Sequence, residues 1–229
     1  MPESGENISE EILSPVDIEK ELEDAAEENR EADFSNKTIR EINLSDKTIE
    51  TSVTFEGAKI LGPAFLSRTV VAGNLNFSGT IISTSLYLGE AKISGELNCR
   101  KVSTGEVLNL IGAVVGKNLD LEEARVRGFL SLNKAVISGS VNCRKITVQN
   151  SESTTGTIRG DVYFQETKVK ESVDLEEAYV DGLLSFQKAK IRGFLNLTNA
   201  VINDFLLLKN AVIKGEFKSE GMECKGKIS

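Results

Sequence analysis

The 229 residues include no histidine and no tryptophan, and only three cysteines and three prolines. Without histidine the chain lacks the commonest general base, the usual metal ligand and every Ser-His or Cys-His nucleophile pair. Cys99, Cys143 and Cys224 are too few and too scattered for a disulfide framework or a zinc site. No apolar run approaches the length that spans a bilayer, so no membrane partner is expected. The opening stretch, "MPESGENISEEILSPVD", is acidic and lacks a basic region followed by an apolar core, so no signal peptide is expected and the cytoplasm is the default.

Charge is unevenly placed. The net charge is −8, yet residues 1–30 hold eleven carboxylates against Lys20 and Arg30, which leaves 24 acids and 25 bases in the rest. The body is close to neutral. It offers no overall basic excess to neutralise phosphates, which argues against direct nucleic-acid binding.

What is present is a repeat. Leu119-x-Leu121-x-x-Ala124-x-Val126-x-Gly128 is followed by Leu130-x-Leu132-x-x-Ala135-x-Ile137-x-Gly139. Counted from Ala32 in this register, eighteen units reach Phe217, with two spacings of ten residues, Ala32 to Ile42 and Val141 to Ser151. Position 8 is Ile or Val in sixteen units, position 3 is Leu or Phe in fourteen, and position 6 is Ala in nine.

An eleven-residue period also marks right-handed coiled coils. On a helix, however, positions 1, 3, 6 and 8 point to opposite sides and form no stripe. As strands, 1-x-3 and 6-x-8 each place two side chains on one face, and β-branched residues at position 8 agree. Position 10 is Gly in ten units, including Gly62, Gly95 and Gly215, so a tight corner with positive φ is expected there. Short strand, corner, short strand, corner is a β-solenoid.

The first stretch, "ADFSNKTIREINLSDKTIE", spaces Phe34, Ile39, Leu44 and Ile49 by strict fives. Ala32-Asp33-Phe34 resembles the A-(D/N)-(L/F) unit of pentapeptide-repeat proteins, and Asn43, Asn76, Asn98, Asp120, Asn142, Asp174 and Asn196 repeat its second position. The resemblance covers roughly residues 32–226 and implies a right-handed, four-sided β-helix. It also implies that some relatives mimic duplex DNA and bind type II topoisomerases. That role needs an acidic rod, and no C-terminal dimerisation helix is apparent here.

Two units per coil, about 22 residues, fit two internal signals. Phe34, Phe55, Phe77, Phe164 and Phe186 occupy position 3 of alternate units, which predicts one stacked column. In the same series Arg100-Lys101, Glu122-Glu123, Arg144-Lys145, Gln165-Glu166 and Gln187-Lys188 predict a ladder of alternating charge. Nine coils then make a rod about 43 Å long at about 4.8 Å per strand.

Ser14-Pro15-Val16-Asp17 reads as an N-cap with proline at the first helical position, and Ile18, Leu22, Ala25 and Ala26 follow at helical spacing. A helix near 15–30 is expected to cover the first coil; a partner-binding acidic face is the alternative. The organisation is thus an acidic tail and capping helix over 1–31, then an all-β right-handed β-solenoid over 32–229. "QNSESTTGTIRG" (149–160) is the weakest unit, and a bulge or bend is expected there.

Functional candidates lie at outward positions. Tyr163, Leu183, Phe205 and Leu207 form an apolar column on consecutive coils near the C-terminal end, which points to a contact surface, most simply a homodimer interface. Partial burial at a corner is the plain alternative, because Phe129 and Phe194 occupy position 11 in the other series. Val114, Val136, Tyr179 and Val201, at position 7, read as ordinary strand surface.

"NCRK" occurs at 98–101 and 142–145, placing Cys99 and Cys143 inward with the Leu121 coil between them. At about 9.6 Å apart they are beyond disulfide reach and read as inert core thiols. "DLEEA" occurs at 120–124 and 174–178 without convergence on a pocket. No catalytic residue, cofactor or metal site is assigned. The expected function is a non-enzymatic interaction or scaffold rod for a protein partner or a second copy. A topoisomerase modulator and a filament-forming protein are the alternatives.

Overall fold

The computed structural model describes residues 12–153 and 156–229. The chain winds as a four-sided solenoid in which every side is a parallel sheet. Side 1 stacks nine strands from Ala32–Asp33 to Phe217–Lys218. Side 2 has ten, beginning with Ile12–Leu13 and Thr38–Ile39 and ending at Glu223–Cys224. Side 3 runs from Ile42–Asn43 to Leu206–Leu207 and side 4 from Thr48–Ile49 to Val212–Ile213, eight strands each. Registers such as Leu75↔Leu97↔Leu119 set about nine turns of 22 residues.

The periodicity dictates the core. Positions 1, 3, 6 and 8 point inward, and Leu119, Leu121, Ala124 and Val126 are all essentially inaccessible to solvent. Parallel stacking puts like side chains on like, so aromatic rings form face-to-face runs: Phe34–Phe55 at 5.0 Å and Phe55–Phe77 at 4.9 Å.

The tight corner is not where the glycines pointed. Positive φ falls at position 5 in all seventeen turns, from Asn36 to Gly221, and most of those residues are not glycine. Of the position-10 glycines only Gly128 has positive φ. The others are needed for close approach: a Cβ on Gly95 would stand 2.8 Å from the carbonyl oxygen of Gly73, and one on Gly215 2.6 Å from that of Gly193. Position 2 explains the recurring Asn and Asp. Asn76, Asn98, Asp120 and Asp174 accept the backbone N–H two residues on, at 2.9–3.0 Å, and so brace the turn that holds position 5.

Helix α1 spans Pro15–Glu27, shorter than the expected 15–30, and opens with a capping box between Ser14 and Asp17. Ile18 and Ala25 are buried against the first coil, with Leu22 packed beside them. Residues 1–11 of the expected acidic tail lie outside the described residues.

Residues 150–159 depart from the repeat. Ser151–Ser153 pairs antiparallel with Gly156–Ile158, so this segment is a hairpin and not a side of the coil. The coil passes from Gln149 at position 9 to Gly160 at position 10: Gly128 N donates to Gln149 O, and Gly182 N donates to Gly160 O. Ten residues are therefore inserted into one turn.

The insertion shifts every later turn by one unit relative to an uninterrupted count. Val162 follows Leu130 on side 3, and Val173 follows Val141 on side 1. The five phenylalanines thus form two columns, Phe34–Phe55–Phe77 facing one way and Phe164–Phe186 (4.7 Å apart) the other. Val114 and Val136 belong to side 4 while Tyr179 and Val201 belong to side 2. The charge ladder does not continue into Gln165-Glu166. Arg100 meets Glu122 at 3.1 Å, and Arg144 and Lys145 meet Glu176 and Glu177, so the first DLEEA segment supplies the acidic rungs to the first NCRK segment and the second to the second.

Candidate interaction surface

Side 3 presents two outward columns. Position 2 runs Asn43, Phe65, Tyr87, Asn109, Ser131, Tyr163, Ser185, Leu207. Position 11, at the preceding corner, includes Val107, Phe129, Asp161, Leu183 and Phe205, the residues just before consecutive strands of this side. Neither column holds a lysine or arginine from Ile42 to Leu207. The outward aromatic rings pair along the stack: Phe65 on Tyr87 at 5.3 Å, and Phe129 edge-on to Tyr163 at 6.2 Å.

All four residues of the expected contact column lie on this side. Phe205 is 41% exposed, while Tyr163, Leu183 and Leu207 are half-buried, so partial burial at the corner applies to three of the four. The apolar strip extends beyond them. Phe129 shares the column of Leu183 and Phe205, although an uninterrupted eleven-residue count assigns it to the opposite series. Phe65 and Tyr87 carry the strip towards the N-terminal end.

The one carboxylate in the strip is masked. Asp161 is 6% exposed and accepts from the Tyr163 hydroxyl and from the Leu183 N–H, both at 2.8 Å. Burial, and then the bond to Asp161, push the Tyr163 phenol up to about 12, so it remains a neutral donor at physiological pH. The hairpin flanks the strip. Its base is tied down by Asn150, which donates its N–H to Asp181 at 3.2 Å and accepts from Gly160 N at 2.8 Å, and by the Arg159–Asp204 ion pair.

Elsewhere the chemistry is structural. Cys99 and Cys143 are fully buried, and burial pushes both thiols far above their ordinary value, away from the reactive thiolate. Glu122 and Glu176, whose type and spacing invited an acid–base reading, are held by Arg100 and Arg144. Among the described residues no group of three or more Cys, Asp or Glu side chains converges as a metal site, and no helix is long and apolar enough to cross a membrane.

Comparison with protein-family models, with curated proteins and with solved structures returned no match. The fold and the side-3 strip therefore carry the functional reading.

Proposed function

We propose that the chain is a non-enzymatic interaction module, a rigid β-rod whose third side docks a protein partner, most simply a second copy. The observation that carries this is the cation-free, aromatic-rich strip from Phe65 to Leu207, six strand steps or about 29 Å long. Stacked parallel strands give such a strip little freedom to rearrange, so the partner meets a preformed surface. The turn chemistry, with Asx at position 2 and the Ala32-Asp33-Phe34 start, supports membership of the pentapeptide-repeat class as an eleven-residue variant. A duplex-mimicking topoisomerase modulator is the weaker reading, because side 4 carries columns of exposed lysine and arginine, with no ion pair among the described residues, where a mimic needs carboxylates.

The test is molar mass by light scattering during size-exclusion chromatography at about 500 mM salt, where exposed charge contacts are screened within about 4–5 Å. Wild type is expected to run as a dimer and Phe205→Lys/Leu207→Lys as a folded monomer with an unchanged circular dichroism spectrum. A wild type that stays monomeric at high protein concentration removes the second copy as the occupant of side 3.

A further inference from the structure

Charged columns on this rod generally alternate in sign, as in Arg100/Glu122, Asp46/Arg68 and Glu166/Lys188. Side 4 breaks that rule. On its last three turns position 7 reads Lys168, Lys190, Val212 in register, and position 9 reads Lys170, Arg192, Lys214. Five exposed cations thus stack like on like at about 4.8 Å, an arrangement that opposes folding. Among the described residues none of the five forms an ion pair; Lys170 donates to the Ser138 hydroxyl at 3.1 Å. The carboxylates at the two corners are engaged elsewhere, Glu166 with Lys188 at 3.6 Å and Glu171 with the Ser140 hydroxyl at 2.9 Å.

The other end of the same side is acidic. Glu50 follows the first strand, and Glu19 and Glu23 of α1 line a groove with Lys47, Thr48, Ile49 and Glu50; Glu19 is paired with Lys47 at 3.0 Å, while among the described residues Glu23 and Glu50 form no ion pair. All three carboxylates are exposed. The middle is apolar and small: Val70, Val114, Val136, Ala72 and Gly116, with Val114 39% exposed and Lys92 the one cation among these turns at positions 7 and 9.

We propose that side 4 binds side 4 of a second copy, antiparallel, about a two-fold axis at Val114. The register makes this self-complementary. The strand of Thr48 lies three steps below that of Val114, and the strand of Lys190 lies three steps above it. A two-fold there sets Glu50 against Lys190 and Arg192, and Glu23 of α1 against Lys214, twice over. Val114 meets its own symmetry mate. An isologous contact of this kind closes on itself. It uses none of the third-side strip, so the two contacts succeed or fail separately.

Sedimentation and light scattering at about 50 mM and about 500 mM salt test it, since exposed charge pairs weaken steeply over that range. Wild type is expected to gain mass at low salt. Lys190→Glu/Lys214→Glu, and separately Glu23→Lys/Glu50→Lys, should each weaken this association by about tenfold or more. An equal mixture of the two variants should restore it, because each then offers the charge the other lacks on both contacts. Phe205→Lys/Leu207→Lys should leave the salt-sensitive step intact. No association at low salt, no rescue in the mixture, or loss of the salt-sensitive step in the third-side variant overturns the proposal. A monomer at low salt that instead binds short duplex DNA through the same lysines also overturns it and makes side 4 a polyanion surface.

Discussion

Thirteen of the seventeen position-5 residues carry a side chain at positive φ, at about 1–2 kcal/mol each by the general cost of that region. The fold tolerates it because each turn is bounded by two ladders of parallel hydrogen bonds, and in many turns an Asx oxygen at position 2 accepts the position-4 N–H. The requirement is visible in the sequence afterwards: position 5 holds only Gly, Asn, Asp, Lys, Arg and Glu, with no β-branched residue among the true turns. The glycines at position 10 were the more obvious signal, and they report close backbone approach instead. Position 8 carries one local misfit. Thr104 lies between Ile82 and Val126 in register, is 1% exposed, and its hydroxyl has no hydrogen-bond partner among the described residues. Thr104→Val is expected to raise unfolding stability by about 1 kcal/mol, read from urea melts. An unchanged or lowered midpoint would mean that the hydroxyl is satisfied.

At the scale of elements, the strands and the capping helix were legible, because inward positions at 1, 3, 6 and 8 admit no other regular structure, while the tight corner was placed at position 10 instead of position 5. The hairpin was not legible. A bulge or bend was expected there, but its ten inserted residues almost equal one repeat, and Val148, Ile158 and Gly160 keep an apolar and glycine rhythm that let the segment be counted as a unit. Ser151 and Ser153, where apolar residues belong, were the signs that marked it as weak; Thr155 at position 5 is a further one. Losing one unit of phase misassigned the phenylalanine columns, the charge ladder and Phe129 together. Excising residues 150–159 joins Gln149 to Gly160 and restores "TVQGDVY" beside the natural "RVRGFLS". The shortened chain is expected to keep its circular dichroism and cooperative melting. The Arg159 guanidinium it loses is more than half exposed, and Asp161 keeps its bonds from the Tyr163 hydroxyl and the Leu183 N–H. An unfolded product would mean that the hairpin is integral to the coil.

At the scale of the molecule, the composition excluded histidine-based chemistry, and the repeat fixed an elongated stack of sheets. The candidate surface was less legible because it is made of outward columns, and a column is known only once the register of every turn is known. Tyr163, Leu183, Phe205 and Leu207 were found because all four lie after the insertion, where a constant phase error cancels. Phe65, Tyr87 and Phe129 lie before it and joined the same strip only through the three-dimensional register.

The continuity of that strip across the hairpin is the central claim, and engineered disulfides test it most directly. In a Cys224→Ser background, Ser131→Cys/Tyr163→Cys places thiols on neighbouring strands of side 3, whereas Asn142→Cys/Tyr163→Cys places them on different sides. The expected result is rapid oxidation of the first pair, whose Cα atoms fall within the usual disulfide span of about 4.4–6.8 Å, and none of the second. Oxidation of the Asn142/Tyr163 pair with a reduced Ser131/Tyr163 pair would return the chain to an unbroken repeat and divide the apolar strip between opposite sides of the rod.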